Sequence, residues 1–212
     1  VIVVLGRPGL GLPGADGRRP LGGIAAVVAR TLAAGGRRTE IVGAIGEDAD
    51  GDRVAVELGR AGVGHAALLR DPAGQTPVAG EPLGPLPRLD AGDVELGLRY
   101  LTECRVLLVA EPLSEPAAAA AAAAAEWHGA LVVVLLPDGA RVPAVWSRGT
   151  LVLSVPPVPL PSPDDADWGE DEAEEAFPGF VAAIVAGLAD GRPVEEVLGD
   201  AIDDAHGERI GG

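Results

Sequence analysis

Lysine, asparagine and methionine are missing from this 212-residue chain, and cysteine occurs once. Each absence removes a chemistry. Without lysine there is no amine nucleophile and no phosphate-gripping Walker lysine, and without asparagine no mechanism can turn on its amide. The single Cys104 cannot close an internal disulfide, in keeping with a reducing compartment, and no Cys/His spacing suggests zinc. His65, His128 and His206 stand far apart and no serine or cysteine lies in a nucleophile-elbow pattern, so a hydrolytic triad has no support. No apolar run reaches the roughly 18 residues of a membrane-spanning helix. The apolar start VIVVL has no basic residues ahead of it, so no secretory signal is read and a cytoplasmic protein is expected.

All sixteen basic residues are arginine, against 32 acids, for a net charge of −16. Such a chain repels nucleic acid and anionic membranes, and neither is expected as a partner. A sugar or nucleoside remains compatible with it. What the chain has in plenty is apolar residues, 48% of the total with a mean hydropathy of +0.26, enough for one folded domain with a sizeable core.

Residues 1–5 read as a strand buried on both faces. Residues 24–32 recur at helical spacing, 39–45 form a strand, 46–51 a glycine-flanked acidic turn and 52–61 a second helix. Further strands are predicted at 63–69, 105–110, 131–136 and 150–155. Helices are predicted after the cap Asp90, after the Ser114-Glu115-Pro116 start with its nine alanines Ala117 to Ala125, over 176–188 and from Pro193. Strands alternating with helices predict a doubly wound, mostly parallel sheet whose ligands bind beyond the carboxyl ends of the strands. From Pro156 the sequence is proline-rich and then carries eight acids between Asp164 and Glu175. We therefore divide the chain into a core at 1–155, an exposed linker at 156–175 and carboxyl-terminal helices at 176–212 that pack on the same core.

One motif match fails on context. Gly9-Leu10-Gly11-Leu12-Pro13-Gly14 fits GxGxxG and follows a strand, and a small nicotinamide-binding domain would use Gly9, Gly11 and Gly14. That chemistry needs a helix starting near Leu12, and Pro13, Gly14, Gly17 and Pro20 oppose one.

The stretch Gly22 to Gly51 carries more information. A Gly-Gly pair opens a helix, the strand Ile41-Val42-Gly43-Ala44-Ile45-Gly46 leads to the acidic turn, and Leu58-Gly59-Arg60-Ala61-Gly62-Val63 and Thr76 follow. This order resembles the amino-terminal signature of the ribokinase-like (PfkB) carbohydrate and nucleoside kinases, over most of residues 1–110. The resemblance implies a three-layer αβα sandwich, ATP with magnesium as co-substrate, a sugar or nucleoside held near Gly22, Gly23 and Asp48, and a carboxylate base at the start of a late helix. The late helix is similar here, including Ala176-Phe177 and Gly191, but where the family has Gly-Ala-Gly-Asp this chain has Glu172-Ala173-Glu174-Glu175. Glu175 stands at the position of the base. The sugar-binding Asp expected after the first strand falls at Gly11, and the Asn expected after the Gly-Gly pair falls at Val27. The lid segments are reduced to short Gly/Pro loops, and the nucleotide half of the site is missing by length.

These departures imply a shortened, divergent member with little or no phosphotransferase activity, acting in binding or assembly as a homodimer or with a protein partner. The alternatives are an active kinase with Glu175 as base and the nicotinamide-binding domain. No metal site is read from the sequence, since the acid cluster lacks the glycine-centred spacing of a calcium loop.

Overall fold

The computed structural model describes residues 1–101, 103–146, 149–155 and 170–207, with the backbone alone for 170–175 and 205–207. Its strands are β1 (Ile2–Leu5), the two-residue β2 (Gly9–Leu10) and β3 (Leu21–Gly22), β4 (Thr39–Gly46), β5 (Gly64–Asp71), β6 (Val106–Val109), β7 (Leu131–Pro137) and β8 (Thr150–Val155). Its helices are α1 (Ile24–Ala34), α2 (Ala49–Arg60), α3 (Ala91–Arg99), α4 (Glu115–His128), α5 (Glu170–Ala189) and α6 (Val194–Gly207).

Six strands form one parallel sheet in the order β5-β4-β1-β6-β7-β8. The apolar runs are explained by burial on both faces. Ile2, Val4, Val106 and Leu108 join a core that includes residues of α1, α2, α5 and α6, while Val3, Leu5, Leu107 and Val109 join one that includes residues of α3 and α4. The result is the three-layer αβα sandwich that the alternation of elements predicts. The late helices belong to it, since Val181, Ile184, Val185, Leu188 and Val197 share a core with Val28 and Leu32 of α1.

Three segments differ from expectation. First, α2 begins at Ala49, three residues before the predicted Asp52, because Asp48 caps it and Asp50 and Asp52 lie in its first turn, where carboxylates favour the helix dipole. Secondly, α5 begins at Glu170, so residues 170–175 of the predicted linker are helical. Acids at a helix start are favoured by the same dipole. Pro178, which suits a first turn, sits inside this helix and removes one backbone bond from it. Residues 156–169 of the predicted linker, and the carboxyl-terminal Gly211-Gly212, lie outside the described residues.

Thirdly, the loops expected in place of a lid hold a short ribbon. Gly9 pairs with Gly22 and Leu10 with Leu21 in antiparallel register, and Leu10 bridges in parallel to Val78, with its amide donating to the Pro77 carbonyl at 2.9 Å. Leu10 and Leu21 are buried, which holds the ribbon to the core.

Candidate functional site at the switch point

The strand order reverses at β1. The chain builds outward from β1 through β4 to β5, then returns to the other side of β1 and builds outward through β6, β7 and β8. At such a point the loops leaving adjacent strands diverge and open a crevice beyond their carboxyl ends. Here the crevice lies between the loop after β1 and the loop after β6.

Two charged side chains meet across it. Arg7 Nη1 donates to Glu111 Oε1 at 2.5 Å, and Arg7 Nε donates to the Pro87 carbonyl at 2.5 Å. Burial pushes the Glu111 carboxyl up from the ordinary value, and the charge and hydrogen bonds of Arg7 pull it part of the way back. The first turn of α1 is beside them. A Cβ built on Gly6 would lie 3.2 Å from Ala25 Cβ, 3.4 Å from Ala110 Cβ and 3.7 Å from Glu111 Cγ.

Gly22 and Gly23 lie at the amino end of α1. Gly22 pairs in the ribbon, where any side chain would run into the backbone of Leu10 and Gly11. Gly23 is the N-cap of α1 at φ 75°, a conformation glycine adopts without strain, and no side chain caps this helix. Both glycines therefore have backbone reasons to be there, and a Cβ built on Gly23 would lie 3.7 Å from the Arg7 carbonyl oxygen.

Asp48 has a tightly defined place. Its Oδ1 accepts from the Gly51 amide at 2.7 Å and from Thr76 Oγ1 at 2.8 Å, and its Oδ2 accepts from the Thr76 amide at 2.9 Å. Thr76 Oγ1 in turn accepts from the Gly46 amide at 2.9 Å. Partial burial raises the carboxyl pKa, but the Thr76 and Gly51 amides and the Thr76 hydroxyl outweigh it, leaving Asp48 below the ordinary carboxylate value. One carboxylate thus joins the end of β4, the start of α2 and the connection after β5.

The direction of α5 follows from its other end. Arg105, just before β6, donates to the Ala189 carbonyl at 3.0 Å, and Arg37, just before β4, forms a two-bond ion pair with Asp190. The carboxyl end of α5 is therefore at the amino ends of the strands, and its amino end points toward the crevice side. Glu175 lies in the second turn of this helix, with its side chain outside the described residues.

Two open cavities have other linings. One of about 520 Å³ is lined by Gly14, Asp16, Arg18, Arg19, Pro20, Glu57 and Arg60, and one of about 140 Å³ sits by Val1, Tyr100 and Glu103. Among the described residues, no group of three or more His, Cys, Asp or Glu side chains is placed to hold a metal ion, and no helix is long and apolar enough to cross a membrane. Cys104 is buried, and desolvation pushes its thiol up to about 11, as suits a small core residue. The dinucleotide reading is not supported: Gly9 and Leu10 are in β2, Gly14 to Gly17 make a turn, and α1 starts at Ile24, too late for a helix amino terminus within the motif.

The pair Arg7 and Glu111 is the part that sequence reasoning missed. A signal existed, since each charge follows a buried apolar strand directly, but only the strand order makes those two strands neighbours.

No family model and no curated protein matches the sequence. Solved structures do match. Phosphofructokinase-2 from Escherichia coli in complex with potassium is 16% identical, over 96% of this chain and 91% of that one, with a TM-score of 0.65. Arabidopsis thaliana ribokinase complexed with ribose and ATP is 17% identical, over 96% and 90%, with a TM-score of 0.61. The PfkB protein from Polaromonas sp. JS666 is 15% identical, over 94% and 92%, at 0.60. In two further structures, with TM-scores of 0.52 and 0.50, the chain spans about half of the other's length, 56% and 52%. The fold is the ribokinase-like αβα sandwich of the PfkB kinases, reached with low sequence identity.

Proposed function

We propose that this chain is a degenerate relative of the PfkB carbohydrate kinases, with little or no phosphotransferase activity, that serves in binding or assembly in the cytoplasm. The observation that carries this reading is the start of α5. That helix points its amino end toward the crevice side of the sheet, and the sequence there is Glu170, Asp171, Glu172, Ala173, Glu174, Glu175. A helix amino terminus holds phosphate through free amides and its dipole, helped by glycines that let the anion approach. Five carboxylates in two turns oppose a triphosphate instead, at a cost on the order of 1 kcal/mol each even in water. These residues do not fit ATP and magnesium, and Glu175 as a base would have no phosphoryl group to serve.

A small sugar or nucleoside is the ligand class we assign to the crevice, with Gly22 and Gly23 at its border and Asp48 acting from behind through the turn it holds. A homodimer is the assembly we expect. The ribbon of β2, β3 and the 77–79 segment is too small to cover a ligand, and Leu12, Leu83 and Leu86 near it are exposed apolar residues that a second copy would cover.

Thermal unfolding with millimolar ATP and magnesium tests the reading. A ligand at a hundred times its dissociation constant stabilises the native state by about 2.7 kcal/mol. The expected result is no shift in melting temperature. A magnesium-dependent rise, with a large loss of sugar phosphorylation in Glu175→Gln, would establish an active kinase instead.

A further inference from the structure

We propose that the Arg7 side chain is a built-in occupant of the switch-point crevice, its guanidinium filling the space between the ends of β1 and β6 so that the chain holds its own site closed. This builds on the reading of that crevice as the ligand site. Two observations support it.

The first is bonding on two sides. Arg7 reaches both the Glu111 carboxylate and the Pro87 carbonyl at 2.5 Å, so its guanidinium ties the loop after β1 to the loop after β6 and to the connection between β5 and α3. The second is enclosure. The Arg7 and Glu111 side chains are 17% and 24% exposed, whereas Arg53, Arg60 and Arg99, in ion pairs along the helices, are 64% to 69% exposed; Arg19, paired with Glu81, is 24% exposed.

The chemistry makes the closure selective. A neutral polyol entering the crevice would separate the guanidinium from the carboxylate and leave two enclosed charges without partners, a poor exchange. A planar cation is different, because it can take the place of Arg7 against Glu111 with the same charge-assisted bonds. The closed crevice therefore excludes neutral sugars until Arg7 swings out, and a guanidinium-like cation is what competes with it.

Two measurements test this. Wild-type protein is treated with phenylglyoxal, which modifies accessible arginines, and the rate at each arginine is read by peptide mass spectrometry. Arg7 is expected to react at least about tenfold more slowly than Arg53 and Arg99, because its modification must wait for local opening. Glu111→Gln is expected to remove most of that protection. Reaction of wild-type Arg7 at the rate of Arg53 overturns the proposal. This measurement needs no folded Arg7 variant.

In the second, Arg7→Ala is titrated with methylguanidinium chloride and followed by melting temperature. A saturable rise is expected in Arg7→Ala, none in wild type, and none in the double variant with Glu111→Gln. A folded Arg7→Ala that shows no rise overturns the proposal. Both results are independent of the ATP titration, so failure of the closed crevice is distinguishable from failure of the degenerate-kinase reading.

Discussion

Asp48→Ala is expected to lower unfolding stability by about 3 kcal/mol. The substitution removes the cap of α2 and leaves the Thr76 amide and hydroxyl without the acceptor they use, in a place where Thr76 itself is buried. Hydrogen bonds to a charged group contribute about 1.5–3 kcal/mol each and caps about 1, and these do not add fully because water reaches part of the site. Denaturant unfolding at neutral pH measures it, as a lower midpoint with an unchanged slope. Asp48→Asn keeps one acceptor oxygen and is expected to lose about half as much.

The pH dependence has a definite sign. The folded-state pKa of Asp48 is depressed, so its contribution is fully present above the unfolded carboxylate value of about 3.9 and is lost as pH falls through the folded value. The gap between wild type and Asp48→Asn should therefore close in acid. A loss under about 0.5 kcal/mol for Asp48→Ala, the range of ordinary surface substitutions, would show that the connection after β5 does not depend on this carboxylate.

Ala121→Leu is expected to destabilise the protein by about 2 kcal/mol, and Ala123→Leu by no more than about 0.5. The nine alanines of α4 look uniform, yet the structure gives them two faces. Ala117, Ala118, Ala121 and Ala125 are buried, and Ala123 is exposed. Ala121 belongs to the core formed with Val3, Leu107, Val109 and Trp146, and an extra isopropyl group there must push α4 away from its neighbours. Leucine and alanine differ little in helix propensity, so the contrast between positions 121 and 123 isolates packing. Equal stability of the two variants would mean that α4 is held loosely.

Most of the fold was legible in the sequence because its parallel strands are short, apolar and set apart by glycine, proline and capping residues. Asp90 and Ser114 cap the helices that they were expected to start. Boundaries failed where two local preferences competed. Asp52 was taken as the first residue of α2 because glycines flank the turn before it, while in the fold the bonds of Asp48 carry the helix back to Ala49. Residues 170–175 read as a solvated acidic linker, and the helix dipole accepts those same acids as a first turn. The site was less legible. Gly22, Gly23 and Asp48 were named through the family resemblance, whereas Arg7, Pro87 and Glu111 converge only through the strand order, which no local window contains. Asp48 shows the other side of this limit, since its bond to Thr76 was invisible although both residues had been singled out.

The strand at the centre of this sheet precedes the other five in the sequence. Ile2 pairs with Thr39 on one side and with Val106 on the other. During synthesis, β1 can find β4 once α1 and β4 have emerged, but its second edge has no partner until β6 does. The half-sheet of β5, β4 and β1 also lacks α3 and α4, which cover Val3, Leu5, Val42 and Ala44. Closing that seam is a non-local event and sets a slow step in folding. Until it happens, an apolar edge is open to pairing with another nascent chain. The surplus of acids does not guard that edge, because residues 1–105 carry 13 acids against 12 arginines and the excess lies in the half that follows.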